Sequence, residues 1–187
     1  MKHMVKKILL MGVILVSLYL SSCEQGAPVA TQRSSKAIAP IGKQDKYCDI
    51  LVNRVVDGDT LVLEGGQRVR LIGIDTPEMH ESNKLYRDSQ RTSQSVETIK
   101  ELGKRSYQFT RGLLEGKRVK VEFDVEKKDK YGRLLGYVYL ADGTFVNAEI
   151  VKQGYASIMT YPPNVKYADL FLKLSQEARE NKRGLWQ

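Results

Sequence analysis

Four carboxylates and one guanidinium, Asp57, Asp59, Arg70, Asp75 and Glu78, fall within a single short stretch, RVVDGDTLVLEGGQRVRLIGIDTPE, running from Arg54 to Glu78. Carboxylates crowded together repel, so the pattern is unfavourable as mere structure and useful for holding a metal. The rest of the chain offers few other routes to chemistry. Beyond the first 22 residues the only histidine is His80, and the only cysteines are Cys23 and Cys48. A Ser-His-Asp triad would have to use His80, and neither G-x-S-x-G nor H-E-x-x-H is present. If the protein is an enzyme, its chemistry is expected to run on carboxylates, arginines and a metal.

The elements that must position these groups follow from the same stretch. Two alternating apolar runs, Asp59 to Leu63 and Arg68 to Ile74, flank Glu64-Gly65-Gly66-Gln67, which is the pattern of a β-hairpin with a glycine-containing loop. The start of one antiparallel strand lies beside the end of the next, so the hairpin predicts all four carboxylates at one end with Arg70 close by. Residues Met79 to Gln94 are polar and without period, and are expected to form a loop. Val96, Ile99, Leu102, Ser106, Phe109 and Leu113 recur at spacings of three and four, which predicts an amphipathic helix over Ser95 to Glu115, closed by Gly116 and weakened at Gly103.

Val119 to Val125 alternate as a strand, Asp129 to Arg133 make a polar turn, and Leu134 to Leu140 form a further strand. Asn147 is read as the N-cap of a short helix over Ala148 to Gln153. Tyr161-Pro162-Pro163-Asn164 is a loop, and a last helix runs from about Lys166 to Lys182, with Trp186 folding back after Gly184. Five strands with a long helix after the third, and three α-helices in all, predict a five-stranded OB-fold β-barrel with helices.

Upstream, three lysines precede the apolar run Ile8 to Leu20 and then Leu20-Ser21-Ser22-Cys23. About 13 apolar residues suit a signal peptide rather than a span, which takes roughly 20. The small residues before Cys23 resemble the lipobox of bacterial lipoproteins, which implies that residues 1–22 are removed and Cys23 is lipidated. Residues 23–46, rich in Ser, Ala, Gln, Gly and Pro, are expected to be a flexible tether, and 47–187 one domain. Cys48, then the only thiol of that domain, allows no internal disulfide and is expected to be buried. The net charge of +8 falls to +5 without the three leader lysines, a weak preference for anionic partners.

VVDGDTLVL, RVRLIGIDTPE and DKYGRLLGYVY, in that order, resemble the three motifs of the staphylococcal nuclease (thermonuclease) family, and NAEIVKQGYA and the closing RGLW are similar to its later segments. The resemblance spans about Asp49 to Trp186. It implies an OB-fold barrel and a calcium-dependent nuclease that cleaves single-stranded DNA and RNA to 3′-phosphate products. By position, Asp59, Asp75 and the Thr76 carbonyl would hold calcium, with Asp57 reaching it through water. Glu78 would be general base or water-positioner, and Arg70 and Arg133 would grip the scissile phosphate. Lys130 and Tyr131 would contact a terminal phosphate, and Tyr161 would stack on or bond the nucleotide. Gly103-Lys104 departs from a Gly-Pro-Glu or Gly-x-Glu element common in the family, and the stretch after Glu78 is extended.

Taken one at a time these residues have plainer readings. Asp-Gly-Asp alone is a turn, Asp75 with Arg70 a structural ion pair, and Arg133 or Lys130 a solvated charge; their joint presence favours the site. A lipid-anchored, monomeric nuclease of the cell envelope is therefore the expectation. The alternatives are a catalytically silent OB module that binds single strands, and a lipoprotein with a structural role.

Overall fold

The computed structural model describes residues 46–187; the leader, Cys23 and nearly all of the tether lie outside the described residues. Strands β1 (Ile50–Asp57), β2 (Thr60–Leu63) and β3 (Arg68–Leu71) form an antiparallel meander, of which β2 and β3 are the hairpin anticipated from the alternating pattern. Strands β5 (Arg118–Glu122) and β6 (Leu134–Leu140) pair antiparallel, β5 also pairs with β1, and a parallel β3–β6 ladder closes a barrel in the order β1-β2-β3-β6-β5. The interior is apolar: Leu61, Leu63, Val69, Leu71, Val119 and Val138 are all essentially inaccessible to water. Each such side chain contributes about 1.5–3 kcal/mol through burial.

The second arm of the hairpin does not run unbroken to Ile74. It is cut at Ile72, and β4 (Gly73–Asp75) turns away to pair with β7 (Ser157–Met159), a strand the sequence pattern had not revealed. Gly73 permits the break: its φ is +82°, and a side chain there would overlap the Phe171 ring. The break is also pinned. Asn147 is fully buried and donates Nδ2 to Ile72 O at 3.0 Å, while its Oδ1 accepts from Val138 N at 3.0 Å. Asn147 is thus not an N-cap; α3 (Val146–Lys152) begins after Phe145 with no side-chain cap, and the amide turns inward to satisfy the sheet.

Among the described residues there are four α-helices, one more than expected. The stretch read as a loop contains α1 (Asn83–Thr92), capped by Ser82 Oγ accepting from Leu85 N at 3.1 Å and ended by Ser93 in the left-handed region. Its single fully buried residue is Leu85, so no apolar stripe announced it. The long helix α2 (Val96–Leu114) packs across β1 and buries Ile99, Gly103, Ser106, Thr110 and Leu114, a stripe one step round from the expected one. Helix α4 (Ala168–Glu180) packs on α3, and Tyr137, Phe145, Tyr167 and Phe171 form an aromatic cluster there. Trp186 folds back as expected, under Arg179 at 4.3 Å. Cys48 is exposed rather than buried, because it precedes β1 and faces outward.

Candidate active site

The polar side chains on the inner face of α2 hold the loops that carry the acidic residues. Thr110 Oγ1 donates to Gly58 O at 2.8 Å, fixing the Asp57-Gly58-Asp59 turn, and Ser106 Oγ donates to Tyr155 O at 2.8 Å. Gly103 lets the Pro77–Glu78 backbone rest directly on the helix; a Cβ there would lie 2.7 Å from Glu78 C and O. Gly58 has the same function for Thr76, whose side chain a Cβ would meet at 2.6 Å. The two acidic loops are therefore packed against each other and against one rigid helix, which is how such a site is held in register.

All ten candidate residues of the domain line one cleft of about 1060 Å³ at the rim of the barrel. At its base Asp59 is buried, and its Oδ2 accepts from Thr76 N at 2.9 Å and Thr76 Oγ1 at 3.1 Å. Asp57 Oδ1 accepts from Asp59 N at 3.1 Å. Arg70, on β3, donates Nη2 to Asp75 Oδ1 at 3.0 Å, and its Nη1 faces Asp59 Oδ2 as an ion pair without a hydrogen bond of good geometry. Asp59 and Asp75 thus meet Arg70 directly, with Asp57 and Glu78 lining the same cleft.

Burial pushes the Asp57 carboxyl above its ordinary value, and the nearby Arg70 and Arg133 charges oppose it. Burial lowers Arg70, against the pull of Asp75 and Asp57, and Arg133 adds to the lowering. Both guanidiniums line the same cleft, where like charges repel. That repulsion is relieved by an anion between them, as a bridging phosphate would provide.

Arg133 stands just before β6, whose parallel pairing with β3 sets Leu135 opposite Arg70 and brings Arg133 to the same cleft. Asp129 orients it, accepting Nε at 2.7 Å on Oδ2 and the Arg133 backbone N–H at 2.9 Å on Oδ1. Although burial works to raise Asp129, these Arg133 contacts outweigh it and hold the carboxyl below its ordinary value. The guanidinium also lies 5.6 Å from the Tyr131 ring, over which Lys130 Nζ sits at 5.1 Å. Tyr131 and Tyr161 are largely exposed at the cleft mouth. Asn164 braces the Tyr161 loop against the 126 loop through paired bonds to Glu126 N at 2.8 Å and O at 2.9 Å.

Sequence reasoning missed Lys84 and Arg87, which α1 adds to the cleft. Lys84 Nζ donates to Thr76 O at 2.9 Å and pairs with Asp75 Oδ2 and Glu78 Oε1, each at 3.2 Å. The signals were Ser82 as N-cap and the four-residue spacing of Lys84 and Asp88, whose charged groups lie 3.6 Å apart.

The donor chemistry suits a hard divalent cation. Asp59, Asp75 and the Thr76 carbonyl offer oxygen only, and an ammonium already rests against part of that set. Among the described residues no three Asp, Glu, His or Cys side chains form a closed cage. A cation held here would keep waters, as calcium and magnesium do.

Comparison with known proteins agrees with the motifs. The family described as "Staphylococcal nuclease homologue" matches residues 68–187. The thermonuclease of Staphylococcus intermedius is 41% identical over 140 residues, covering 73% of this chain and 75% of that protein. The thermonuclease of Staphylococcus hyicus is 33% identical over 138 residues, 72% of this chain and 73% of its own. Endonuclease YncB of Bacillus subtilis is 34% identical over 161 residues, 83% of this chain and 70% of its own. The chain belongs to the staphylococcal nuclease family.

Proposed function

We propose that the protein is a calcium-dependent phosphodiesterase that hydrolyses single-stranded DNA and RNA to 3′-phosphate products. The observation that carries this reading is the meeting of Arg70, Arg133 and the acidic cluster in one cleft. Relatives named thermonuclease and endonuclease support it.

Asp59, Asp75 and the Thr76 carbonyl would hold calcium, which when bound offsets carboxylate repulsion and polarises a phosphoryl oxygen. Arg70 and Arg133 grip the phosphodiester from two sides with planar, forked donors, and match the charge that builds on its oxygens as the bond order changes. Glu78 takes a proton from, or orients, the water that attacks phosphorus in line. The bond to the 5′ oxygen breaks, and the phosphate stays on the 3′ side. Lys130 meets a flanking phosphate, while Tyr131 and Tyr161 offer faces on which unpaired bases stack, which favours single strands over duplex.

The same reading places the protein, as a monomer, on the extracytoplasmic side of the cell envelope, held by a lipid on Cys23 after removal of residues 1–22. The basic, apolar and small-residue order of residues 1–23 supports it. Replacing Cys23 by Ser should move the protein from the membrane fraction to the soluble fraction.

The decisive experiment incubates labelled single-stranded DNA with the protein, with calcium or with a chelator, alongside Glu78→Gln and Arg133→Ala. Cleavage that requires calcium, falls by orders of magnitude in both variants and leaves 3′-phosphate ends is the expected result. Salt-sensitive binding without cleavage would instead establish a silent binding module.

A further inference from the structure

The acidic cluster is neutralised from two sides by cations of different character. Arg70 comes from barrel strand β3, is set by the strand ladder and takes Asp75 Oδ1. Lys84 comes from α1, outside the barrel, and takes Asp75 Oδ2 on the opposite edge of the same carboxylate. Its ammonium also reaches Glu78 Oε1 and the backbone carbonyl of Thr76. The carbonyl is the telling partner. A surface lysine seeking a counter-charge has Asp88 one turn away at 3.6 Å, yet Lys84 makes its shortest bond, 2.9 Å, to a neutral oxygen turned into the cleft.

Asp75 and the Thr76 carbonyl are two of the three donors assigned above to calcium, and Glu78 is the residue assigned to the attacking water. One set of oxygens does not serve an ammonium and a divalent ion together, since the two cations would repel at close range where the dielectric is low. Lysine is suited to yield, because its charge is a point on a flexible four-carbon stem, whereas a guanidinium in a strand ladder is not free to leave. Helix α1 anchors itself through Leu85 rather than through Lys84, so the side chain can depart without the helix.

We propose that Lys84 is a resident counter-ion for the metal seat. It holds Asp75, Thr76 and Glu78 in working positions in the metal-free protein, and it competes with the divalent cation for the same oxygens. The consequence is a site that stays assembled without metal but binds metal more weakly than its donors alone would. This inference rests on the calcium reading of the site.

The test uses the full chain purified in detergent and Lys84→Met, which keeps the aliphatic stem and removes the charge, with Lys100→Gln as control. Lys100 pairs with Glu81 on the outer surface, away from the cluster. Calorimetric titration with calcium should give an affinity about tenfold higher for Lys84→Met than for wild type, equivalent to about 1.4 kcal/mol, with Lys100→Gln unchanged. The thermal midpoint of Lys84→Met should fall below wild type in chelator and regain it in saturating calcium, a difference that a purely structural lysine would not show. Wild type that binds calcium as well as or better than Lys84→Met overturns the counter-ion inference and leaves the calcium reading standing. Absence of calcium binding in every variant overturns both.

Discussion

Gly103 sits in the middle of α2, where glycine is unfavourable by about 1 kcal/mol relative to alanine. Replacing it with alanine should therefore stabilise the helix, and the geometry argues that the gain is more than lost. The new Cβ would stand 2.7 Å from Glu78 C, Glu78 O and Pro77 O. That is about 0.7 Å short of ordinary contact, and all three are backbone atoms that cannot rotate aside. Overpacking of this kind costs about 1–3 kcal/mol, leaving a net destabilisation of about 0–2 kcal/mol.

The functional effect should be larger than the stability effect. A misplacement near 1 Å can reduce a rate by about a hundredfold, so a shift of Glu78 of this size should lower kcat ten- to hundredfold. If the helix yields instead, the Thr110 bond to Gly58 is strained and Asp59 moves, with the same sign. Gly112 supplies the control on the same helix, since a Cβ there meets nothing within 4 Å. Gly112→Ala should raise the melting temperature by about 3 °C and leave turnover unchanged. Calcium-supported cleavage of a labelled oligonucleotide and a thermal melt, run on both variants, decide the matter. A Gly103→Ala protein that melts as high as Gly112→Ala and cleaves at the wild-type rate would refute the packing argument.

Three further outcomes follow from the contacts described. Arg133→Lys keeps the charge but loses the forked geometry and the Asp129 bond, so kcat should fall about a hundredfold with little change in melting temperature. Asn147→Ala strands the Val138 amide and the Ile72 carbonyl, at about 1–3 kcal/mol each, and should lower the melting temperature by at least about 6 °C. Tyr137 and Tyr139 are both pushed above the ordinary tyrosine value, first by burial and then by hydrogen bonds to Asp124 and Tyr167 respectively. A folded-state value above the unfolded one means that their stability is fully present below about pH 10 and is lost as pH rises beyond it. Melts at pH 9 and pH 11 should show this loss, and it should shrink in Tyr139→Phe.

The barrel and the core of the site were legible because both rest on local pattern. Period-two alternation marked β2, β3, β5 and β6, and one hairpin sufficed to bring Asp59 and Asp75 to Arg70, with Asp57 and Glu78 on the same cleft. What escaped depends on tertiary context. Helix α1 carries one buried side chain and is otherwise polar, so periodicity had nothing to register, and Lys84 was lost with it. Strand β7 is three residues long and exists only because β4 leaves the barrel at Gly73 to meet it. Asn147 looked like a cap because asparagine usually is one, and only the neighbouring carbonyl of Ile72 reveals why it points inward. Gly103 read as a weakness in a helix until the backbone resting on it was seen.

The parallel β3–β6 ladder has a bearing on when the protein becomes dangerous to nucleic acid. Arg70 and Arg133 are 63 positions apart in the chain, and α1, α2 and β5 all lie between them. No local folding event brings them together; they meet only when the barrel closes, a long-range step that carries a loop-closure cost. A chain still in an extended or half-formed state thus carries every reactive side chain and no assembled phosphate grip. The topology itself thus withholds activity until the barrel has closed.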